Sequence, residues 1–387
     1  MMPRSATSKV LIGLAVASVL HAPVTLCARA DAPIYFTSFT HMEGSYTYPT
    51  QSAFADHASR IRWAMGVSEE YGYRLTIESE KSFATACATY SDNVMLEAIT
   101  RGHGAGTHCD FGMTTPLTTP QQYSLNFIQN KQRVDALVGG TNNRHCSGGL
   151  GANDWIVAAQ LAGFSFRSEV VALGYLSMPM TERPAGWTDA YILANTFHDE
   201  CPLALSSRHH PFPLANAADF TPDPGAQHIV LCGGVGRLDI LAEQAAGATV
   251  PPNPPLTQDD VDLFFTAIDA SIAARDPTRF TKINVHLAMS VFRTVNNALY
   301  RQVLERLRDD YCAGGAGVFA TQGEAFDAYR QWNHPIAGDV TLDGNVNGSD
   351  LAAVLGRWGA HAGQGDLNFD GAVTAADLAI VLSGWTG

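Results

Sequence analysis

The sequence predicts an α/β fold with a mostly parallel sheet, open or closed into a barrel, followed by a small all-α module with two calcium loops. Short apolar runs alternate with helical stretches over most of the 387 residues, which is typical of chains built from β–α units. Hydrophobic residues make up 46% of the chain and charged residues 16%, so the larger part can bury a sizeable core. A loop that occurs twice near the C-terminus predicts the module.

The elements of the larger part follow from these patterns in chain order. Apolar runs bounded by turn residues predict strands over 33–40, 73–78, 104–109, 164–166, 228–231, 282–286 and 317–320. Helical periodicity predicts helices over 57–71, 93–101, 155–162, 258–274 and 321–332. The last helix begins at a capping box formed by Thr321 and Glu324.

The N-terminus is typical of an export signal over residues 1–30. Arg4 and Lys9 form a short positive region before an apolar run that is too short to span a bilayer, and Ala28 and Ala30 fit a cleavage site. We therefore expect a secreted or extracellular protein, with the cell surface or the periplasm as alternatives and no membrane span. Six cysteines remain after cleavage, which favours up to three disulfides whose pairing the sequence leaves open.

The sequence predicts that the chain consists of three segments. The signal over 1–30 precedes a large domain over 31–334 and, after a break at His334 and Pro335, a module over 336–387. The formal net charge is −13, and such an acidic chain repels phosphate backbones and anionic membranes. Nucleic acid is therefore excluded as an expected partner.

The module contains two twelve-residue loops that begin 27 residues apart, at Asp339 and Asp366. Each loop has oxygen-bearing side chains at positions 1, 3, 5, 9 and 12, a glycine at position 6, and a backbone carbonyl available at position 7. This spacing wraps one loop around one Ca²⁺ ion. The predicted ligands are Asp339, Thr341, Asp343, Asn345, Asn347 and Asp350 in the first loop, and Asp366, Asn368, Asp370, Ala372, Thr374 and Asp377 in the second.

Three strand ends in the large domain carry side chains that bind metals. His41 and Glu43 follow the first strand, where alternation along an extended chain puts both on one face. His108 and Asp110 alternate in the same way at the end of the strand over 104–109, and His286 ends a later strand. The carboxyl ends of parallel strands meet at one edge of a sheet. The sequence therefore predicts Zn²⁺ or another divalent metal held by His41, Glu43, His108 and Asp110, with an open position for water; structural, hydrogen-bonded histidines are the alternative.

Other polar residues are interpreted as structural. His103 lies between two glycines, as a turn or packing residue does, and Arg144 suits a structural carboxylate. Glu78 and Glu80 are predicted to end a strand and face solvent. The histidine pair at 209–210 lies in loop-like sequence, which predicts solvent exposure.

The module resembles a type I dockerin, a family with duplicated loops of this kind, each followed by one helix. The likeness covers nearly all of 338–387, with helices expected over 351–358 and 378–385. It implies two calcium ions and docking onto a cohesin-like module or a surface assembly. Trp358 and Trp385 stand where many dockerins have other residues, which leaves the choice of partner open.

The large domain resembles the polysaccharide deacetylase family, which has a NodB-like deformed (β/α) barrel. The likeness spans about 34–332 and rests on His286 and on the segments 41–43, 101–108, 143–148 and 317–324. It implies metal-dependent hydrolysis of acetyl groups on a polysaccharide. Glu43 or Asp110 would act as the base and His286 as the acid that protonates the leaving group.

Two positions depart from the pattern of that family. His41 stands where the base Asp is expected, and Gly112 stands where the family has its second metal-binding histidine. Asp110 is the expected substitute for that ligand.

Two other functions remain open. A glycoside hydrolase on a related barrel would use two carboxylates, for which Glu43, Asp110 and Glu200 are candidates. A non-catalytic carbohydrate-binding or scaffold protein would hold no metal in the large domain. The sequence contains no G-x-S-x-G nucleophile elbow and no HExxH zinc helix.

Overall fold

The computed structural model describes residues 32–109, 116–195, 203–223, 225–248, 254–333, 336–341, 345–359, 365–368 and 372–386. The predicted export signal lies outside these residues, as do Asp110, Glu200, Asp343 and Asp370. Within the described ranges, no helix has both the length and the apolar character needed to cross a membrane.

One ten-stranded sheet organises the larger part of the chain. Its strands are β1 (Ile34–Met42), β2 (Thr76–Ser79), β3 (Gly104–His108), β4 (His145–Ser147), β5 (Phe166–Arg167), β6 (Phe212–Leu214), β7 (His228–Val230), β8 (Gly234–Arg237), β9 (Thr281–His286) and β10 (Gly317–Phe319).

Helices cover the sheet and form the C-terminal module. They are α1 (Gln51–Glu70), α2 (Lys81–Thr89), α3 (Val94–Thr100), α4 (Pro120–Val138), α5 (Trp155–Leu161), α6 (Asp189–Asn195), α7 (Leu205–Arg208), α8 (Leu241–Ala246), α9 (Gln258–Ala274), α10 (Asn297–Arg306), α11 (Gln322–Asn333), α12 (Gly348–Leu355) and α13 (Ala375–Ser383).

The sheet has the order β6-β7-β5-β4-β3-β2-β1-β9-β8, and β10 pairs with β1 beside it. Every pairing is parallel except that of β6 with β7, at one edge. This confirms the predicted α/β class with a mostly parallel sheet. Because the strands are parallel, the carboxyl ends of β1, β2, β3, β4 and β9 lie at one edge of the sheet.

The sheet curls towards a barrel, because its two ends are joined by a very short link. Only residues 231–233 separate β7 from β8, although these strands lie near opposite ends of the strand order. Gly233 has a φ of +72°, and a Cβ there would come 2.2 Å from the carbonyl oxygen of Lys282, so this close passage needs a glycine. The buried ammonium of Lys282 bridges the interior by donating to the carbonyl oxygen of Ser168 at 2.6 Å and to that of Leu231.

The helix boundaries agree with the sequence signals in part. The predicted helix over 258–274 is α9, which starts at a capping box between Thr257 and Asp260. The capping box of α11 also forms, since the backbone N–H of Thr321 donates to Glu324 at 2.9 Å. The structure adds six helices that the sequence patterns do not indicate: α2, α4, α6, α7, α8 and α10.

The module is built from α12 and α13 around a small apolar core that follows the sequence repeat. Val346 and Val354 of the first half correspond to Val373 and Val381 of the second, and all four are buried together. Arg330 of α11 donates to the module at the backbone carbonyl of the second loop's first residue, at 3.2 Å.

The described cysteines include a close thiol pair. Cys109 and Cys146 are buried after β3 and within β4, and their side chains are hydrogen-bonded to each other. No disulfide joins these two or links them to Cys87 or Cys312. The predicted disulfides are thus not formed among these four residues, and Cys201 lies outside the described ranges.

The predicted exposure of the histidine pair at 209–210 is wrong. His209 and His210 are each about 1% exposed, because the chain between α7 and β6 packs against β9. The backbone N–H of Lys282 donates to the carbonyl of His209 at 2.9 Å, and Nδ1 of His210 lies 2.8 Å from the carbonyl oxygen of Phe280.

Candidate metal centre

The candidate metal centre begins where β1 ends. Met42 is completely buried in the apolar core, so the alternation of the strand turns the neighbours of Met42 to the opposite face. On that face, Nδ1 of His41 lies 3.8 Å from Oε1 of Glu43. The sequence prediction that these two side chains share a face is therefore confirmed by the geometry.

His108 approaches the same carboxylate from β3, two strands away. Its Nε2 lies 3.6 Å from Oε2 of Glu43, and its Nδ1 lies 2.8 Å from Oγ of Ser147 at the end of β4. The rings of His108 and His41 are stacked, with centroids 3.9 Å apart. Each ring thus directs one nitrogen towards Glu43 and the other towards a different polar partner.

His41, Glu43 and His108 form a group that could hold a metal ion, because one ligand atom from each lies within 4.8 Å of the others. Ligand atoms placed about 2.0–2.1 Å from a tetrahedral Zn²⁺ lie about 3.3–3.4 Å apart. The observed contacts of 3.6 and 3.8 Å to Glu43 are close to that spacing. Two imidazoles and one carboxylate are also a donor set that suits zinc and similar ions.

The charges within the site keep the candidate ligands in the protonation states that bind a metal ion. Burial raises the pKa of Glu43, but the charge and hydrogen bond of His108 and the charge of His41 outweigh burial and hold that pKa below its ordinary value. Burial, aided by the charge of His108, lowers the pKa of His41. An ionised carboxylate beside a neutral imidazole is what a divalent cation requires.

Glu78 is part of this site, which corrects the expectation that it faces solvent. β2 is buried on both faces, and Glu78 is 0% exposed, opposite His41 in the register of β1 and β2. Its Oε2 lies 3.1 Å from Nε2 of His41, and its Oε1 lies 3.0 Å from Nε2 of His145. Because strands of a parallel sheet are covered on both faces, a carboxylate within such a strand has no solvent to face.

A second carboxyl group that the sequence patterns missed is Glu169, whose side chain is 12% exposed. Its Oε1 lies 3.5 Å from Nε2 of His41. Burial, together with the negative charge of Glu78, raises the pKa of Glu169 well above its ordinary value. Glu169 follows the two-residue strand β5, which is too short to show a periodic signal.

His286 reaches the site from the end of β9. Its ring centroid lies 4.6 Å from that of His41 and 4.8 Å from that of Phe39, and its positive charge helps to lower the pKa of Glu43. The structure therefore brings His286 beside the predicted ligands.

The remaining predicted residues do not join the group or cannot be placed. Arg144 pairs with Asp327 of α11 at 2.7 and 2.8 Å, which confirms a structural carboxylate as its partner. His103 is buried, and its Nδ1 accepts from the backbone N–H of Leu75 at 3.0 Å, so it has a packing role. Asp110, predicted as ligand and base, lies outside the described residues, as does Glu200.

A pocket of about 290 Å³ has Gly44, the residue after Glu43, in its wall, and none of the candidate metal ligands lines it. The oxygen Oε2 of Glu80 lies 2.1 Å from where a Cβ on Gly44 would be, so a larger residue at this position would displace that carboxylate. Tyr48 and Tyr90 line the pocket together with polar side chains that include Lys81, Ser82 and Thr85.

The two loops of the module bury their described carboxylates. Asp339 and Asp350 of the first loop and Asp366 and Asp377 of the second are each 9% exposed or less. Asp350 also accepts from the backbone N–H groups of Thr341 at 2.8 Å and of Asn347 at 2.9 Å. Asp377 likewise accepts from the backbone N–H groups of Asn368 at 3.1 Å and of Thr374 at 2.8 Å. The predicted ligands Asp343 and Asp370 lie outside the described residues.

The comparisons with known proteins give structural similarities only. No family model and no curated protein matches this chain. Similar solved structures include Puue allantoinase, with 11% identity, a TM-score of 0.49 and coverage of 77% of this chain and 91% of that one. A putative polysaccharide deacetylase from Mycobacterium smegmatis has 11% identity and a TM-score of 0.44, over 78% of this chain and 95% of that one.

A putative glycoside hydrolase/deacetylase from Parabacteroides distasonis has 11% identity and a TM-score of 0.47, over 78% of this chain and 72% of that one. All three TM-scores lie below 0.5, so no functional argument rests on these similarities. The class of the fold and the geometry of the site follow from the residues of this chain.

Proposed function

We propose that the large domain is a metal-dependent carbohydrate deacetylase or esterase with a NodB-like barrel. The observation that carries the proposal is the group formed by His41, Glu43 and His108, whose ligand atoms lie within 4.8 Å of one another at the carboxyl ends of β1 and β3. This is the edge of a parallel sheet where α/β enzymes bind their ligands.

Three residues would hold the ion, through Nδ1 of His41, a carboxylate oxygen of Glu43 and Nε2 of His108. A divalent ion supplies Lewis-acid polarisation of an acetyl carbonyl and lowers the pKa of a water molecule. The three ligands leave a further position of a tetrahedral site open for that water or for the carbonyl. The lowered pKa of Glu43 keeps this ligand ionised near neutral pH.

His286 is the proposed proton donor to the leaving group, because its ring stands against that of His41. A histidine can both accept and release a proton near neutral pH. Asp110, two residues beyond His108, remains the proposed base that takes the proton of the attacking water. Glu43, the other base that the sequence offered, is a poor proton acceptor as a ligand whose pKa is lowered.

The pocket beside Gly44 is the proposed position of the glycan. Its volume of about 290 Å³ is on the scale of a small ligand site. The two tyrosines in its lining offer aromatic faces, and the polar side chains offer hydrogen-bonding partners for sugar hydroxyls. A sugar bound there would lie against Gly44, the residue after Glu43.

Acetate release from acetylated polysaccharides, measured with purified chain before and after chelation and again after restoring Zn²⁺, tests this function. We expect acetate to be released, to stop on chelation and to return with the metal. Purified chain that binds zinc but releases no acetate from N- or O-acetylated glycans would contradict it.

A glycoside hydrolase is the second candidate, favoured by the carboxyl groups Glu78 and Glu169. Their pKa values are displaced in opposite directions, lowered for Glu78 and raised for Glu169, and such pairs provide an acid and a base in glycosidases. This function predicts new reducing ends rather than acetate, and no loss of rate on chelation.

The predicted export signal and the module bear on where the enzyme would act and what it would be attached to. We propose that the protein is secreted and that its calcium-loaded, dockerin-like module docks onto a cohesin-like partner or a surface assembly. The repeat of loop and helix and its buried carboxylates support this proposal. Pull-down of the purified chain by a cohesin, with calcium and with a chelator, tests it; equal capture in both would contradict it.

A further inference from the structure

We propose that Glu78 is a positioning residue of the metal centre: it fixes the proton of His41 on Nε2, so that Nδ1 is the atom left to bind a divalent ion. The part of this inference that concerns the ion rests on the proposed function. The part that concerns the ring does not, because the metal-free chain already contains both residues.

Glu78 lies wholly inside the sheet and contacts two imidazole rings. Its oxygens lie 3.1 Å from Nε2 of His41 and 3.0 Å from Nε2 of His145. The contact with His145 is a hydrogen bond, whereas Oε2 of Glu78 and Nε2 of His41 lie at ion-pair distance without the alignment of a hydrogen bond. A buried carboxylate is costly unless donors surround it. A proton on each Nε2 atom places both donors beside Glu78.

Of the two carboxyl groups that face Nε2 of His41, Glu78 is the nearer. Its Oε2 lies 3.1 Å from Nε2, whereas Oε1 of Glu169 lies 3.5 Å away. Glu78 is also 0% exposed, and its other oxygen is held by a hydrogen bond to His145. Glu78 is therefore the fixed partner of Nε2 of His41.

This arrangement determines the role of Nδ1, the other ring nitrogen of His41. A neutral imidazole with its proton on Nε2 has its lone pair on Nδ1, and Nδ1 faces Glu43 at 3.8 Å. A histidine that binds a metal generally donates its second N–H to a carboxylate, which fixes the ring and raises its basicity. Glu78 is placed to do this for His41, as Ser147 is for His108.

Gly106 makes room for the ring of His145, the second imidazole that contacts Glu78. A Cβ on Gly106 would lie 2.2 Å from Nε2 of His145. Only glycine at this position of β3 lets the ring of His145 lie across the strand towards Glu78. The segment 103–108 thus contributes the candidate ligand His108 and, at Gly106, the room that the ring of His145 needs.

Charge balance supports the same assignment. Zn²⁺ at the site would face two carboxylates, Glu43 as a ligand and Glu78 behind His41, so the positive and negative charges cancel inside a buried region. Removing the charge of Glu78 leaves one positive charge uncompensated, which weakens binding of the ion.

Zinc affinity tests the proposal in the full chain with three proteins: wild type, Glu78→Gln and Glu69→Gln. Glu69 is the matched control, because it also contacts a buried histidine, His103 at 3.2 Å, but has no contact with the site. We expect Glu78→Gln to weaken zinc binding by about 10- to 100-fold and Glu69→Gln to bind as wild type does. Unchanged affinity in a folded Glu78→Gln protein would overturn the proposal.

A second measurement needs no substitution at Glu78 and remains decisive if that variant does not fold. Long-range ¹H–¹⁵N spectra of ¹⁵N-histidine-labelled, metal-free wild type, with His41 assigned by comparison with His41→Gln, report which ring nitrogen carries the proton. We expect the proton on Nε2 and, after zinc is added, a shift at Nδ1. A proton on Nδ1 in the metal-free chain would overturn the assignment.

These outcomes separate the two proposals. If the wild type shows Nε2–H but binds no zinc, the metal-dependent function fails while the positioning by Glu78 stands. If zinc binds but shifts Nε2 of His41, the metal centre stands and the role of Glu78 is wrong.

Discussion

The imidazole rings of His41 and His108 lie stacked, with their centroids 3.9 Å apart and their planes inclined by 20°. The charge of His108, after burial, lowers the pKa of His41, so two imidazolium ions at this distance would repel each other. A metal ion that both rings bind as neutral ligands removes this conflict. The stacking is therefore a feature of a site prepared for a cation.

His108→Ala is expected to lose the ion. We expect wild type to retain about one equivalent of zinc per chain after dialysis, and His108→Ala to retain none, because only two ligand residues remain. Metal analysis by mass spectrometry measures the content. His103→Ala is the matched control, since His103 is buried at the opposite end of β3, and loss of zinc in that variant would point to unfolding rather than to ligation.

His286→Ala separates metal binding from proton transfer. Since His286 contacts His41 through its ring and is not among the three grouped ligand residues, we expect the variant to keep its zinc. We expect the rate of acetate release to fall by about 10²- to 10⁴-fold, the usual contribution of a general acid. A variant with unchanged rate would remove His286 from the mechanism, and one without zinc would make it a ligand.

The sequence predicted the convergence of His41, Glu43 and His108 for a physical reason. Residues that end parallel strands meet at one edge of the sheet, and alternation selects the face. The prediction that Glu78 faces solvent is wrong because it assumes a strand with one solvent-exposed face, whereas β2 is covered on both faces. Glu169 follows a strand of two residues, where no period can be read.

The long helix α4 was not predicted, although its signals are present in the sequence. Pro120 occupies the first turn after the capping residue Thr119. Tyr123, Phe127 and Val134 are buried at helical spacing, although polar residues between them obscure the apolar stripe. The structure of the sheet, in contrast, depends on which strands pair, and local patterns do not contain that information.

Acid should destabilise the fold well above the range in which carboxylates titrate. The rings of His209 and His228 are buried without hydrogen-bonding partners. Burial and the charge of Arg208 lower the pKa of His209 to about 4, and burial and the charge of Arg167 lower that of His228 to about 3. The unfolded chain, with histidine pKa values of about 6.5, therefore binds more protons below that pH.

By linkage, the stability is fully present above about pH 6.5 and falls as the pH decreases towards the two folded-state values. Each histidine contributes a slope of up to about 1.4 kcal/mol per pH unit. Urea unfolding of wild type and of His228→Leu at pH 8, 7, 6 and 5 measures it. We expect His228→Leu to reduce the slope between pH 6 and 5 and to leave the flat region above pH 7 unchanged. Equal slopes in both proteins would mean that His228 is protonated in the fold or is not buried.

Calcium binding by the module should distinguish its two loops. The carboxylate of Asp350 accepts from the backbone N–H of Thr341 and of Asn347, so the twelfth position of the first loop already holds the loop closed. Because Thr341 stands at position 3, where a carboxylate or amide oxygen binds more strongly, we expect two ions bound with unequal affinity. Calorimetry of the chelator-treated full chain measures both.

In Asp350→Ala, the weaker calcium site is expected to disappear and the stronger one to remain. The neighbouring substitution Ser349→Ala is the matched control, because Ser349 is exposed and occupies no ligand position, and it should leave both sites intact. If Asp350→Ala instead abolishes the stronger site, the order of the two loops is reversed and the threonine at position 3 does not weaken binding. If neither variant changes calcium binding, the ions are held elsewhere, and the shared core of Val354 and Val381 stabilises the module without them.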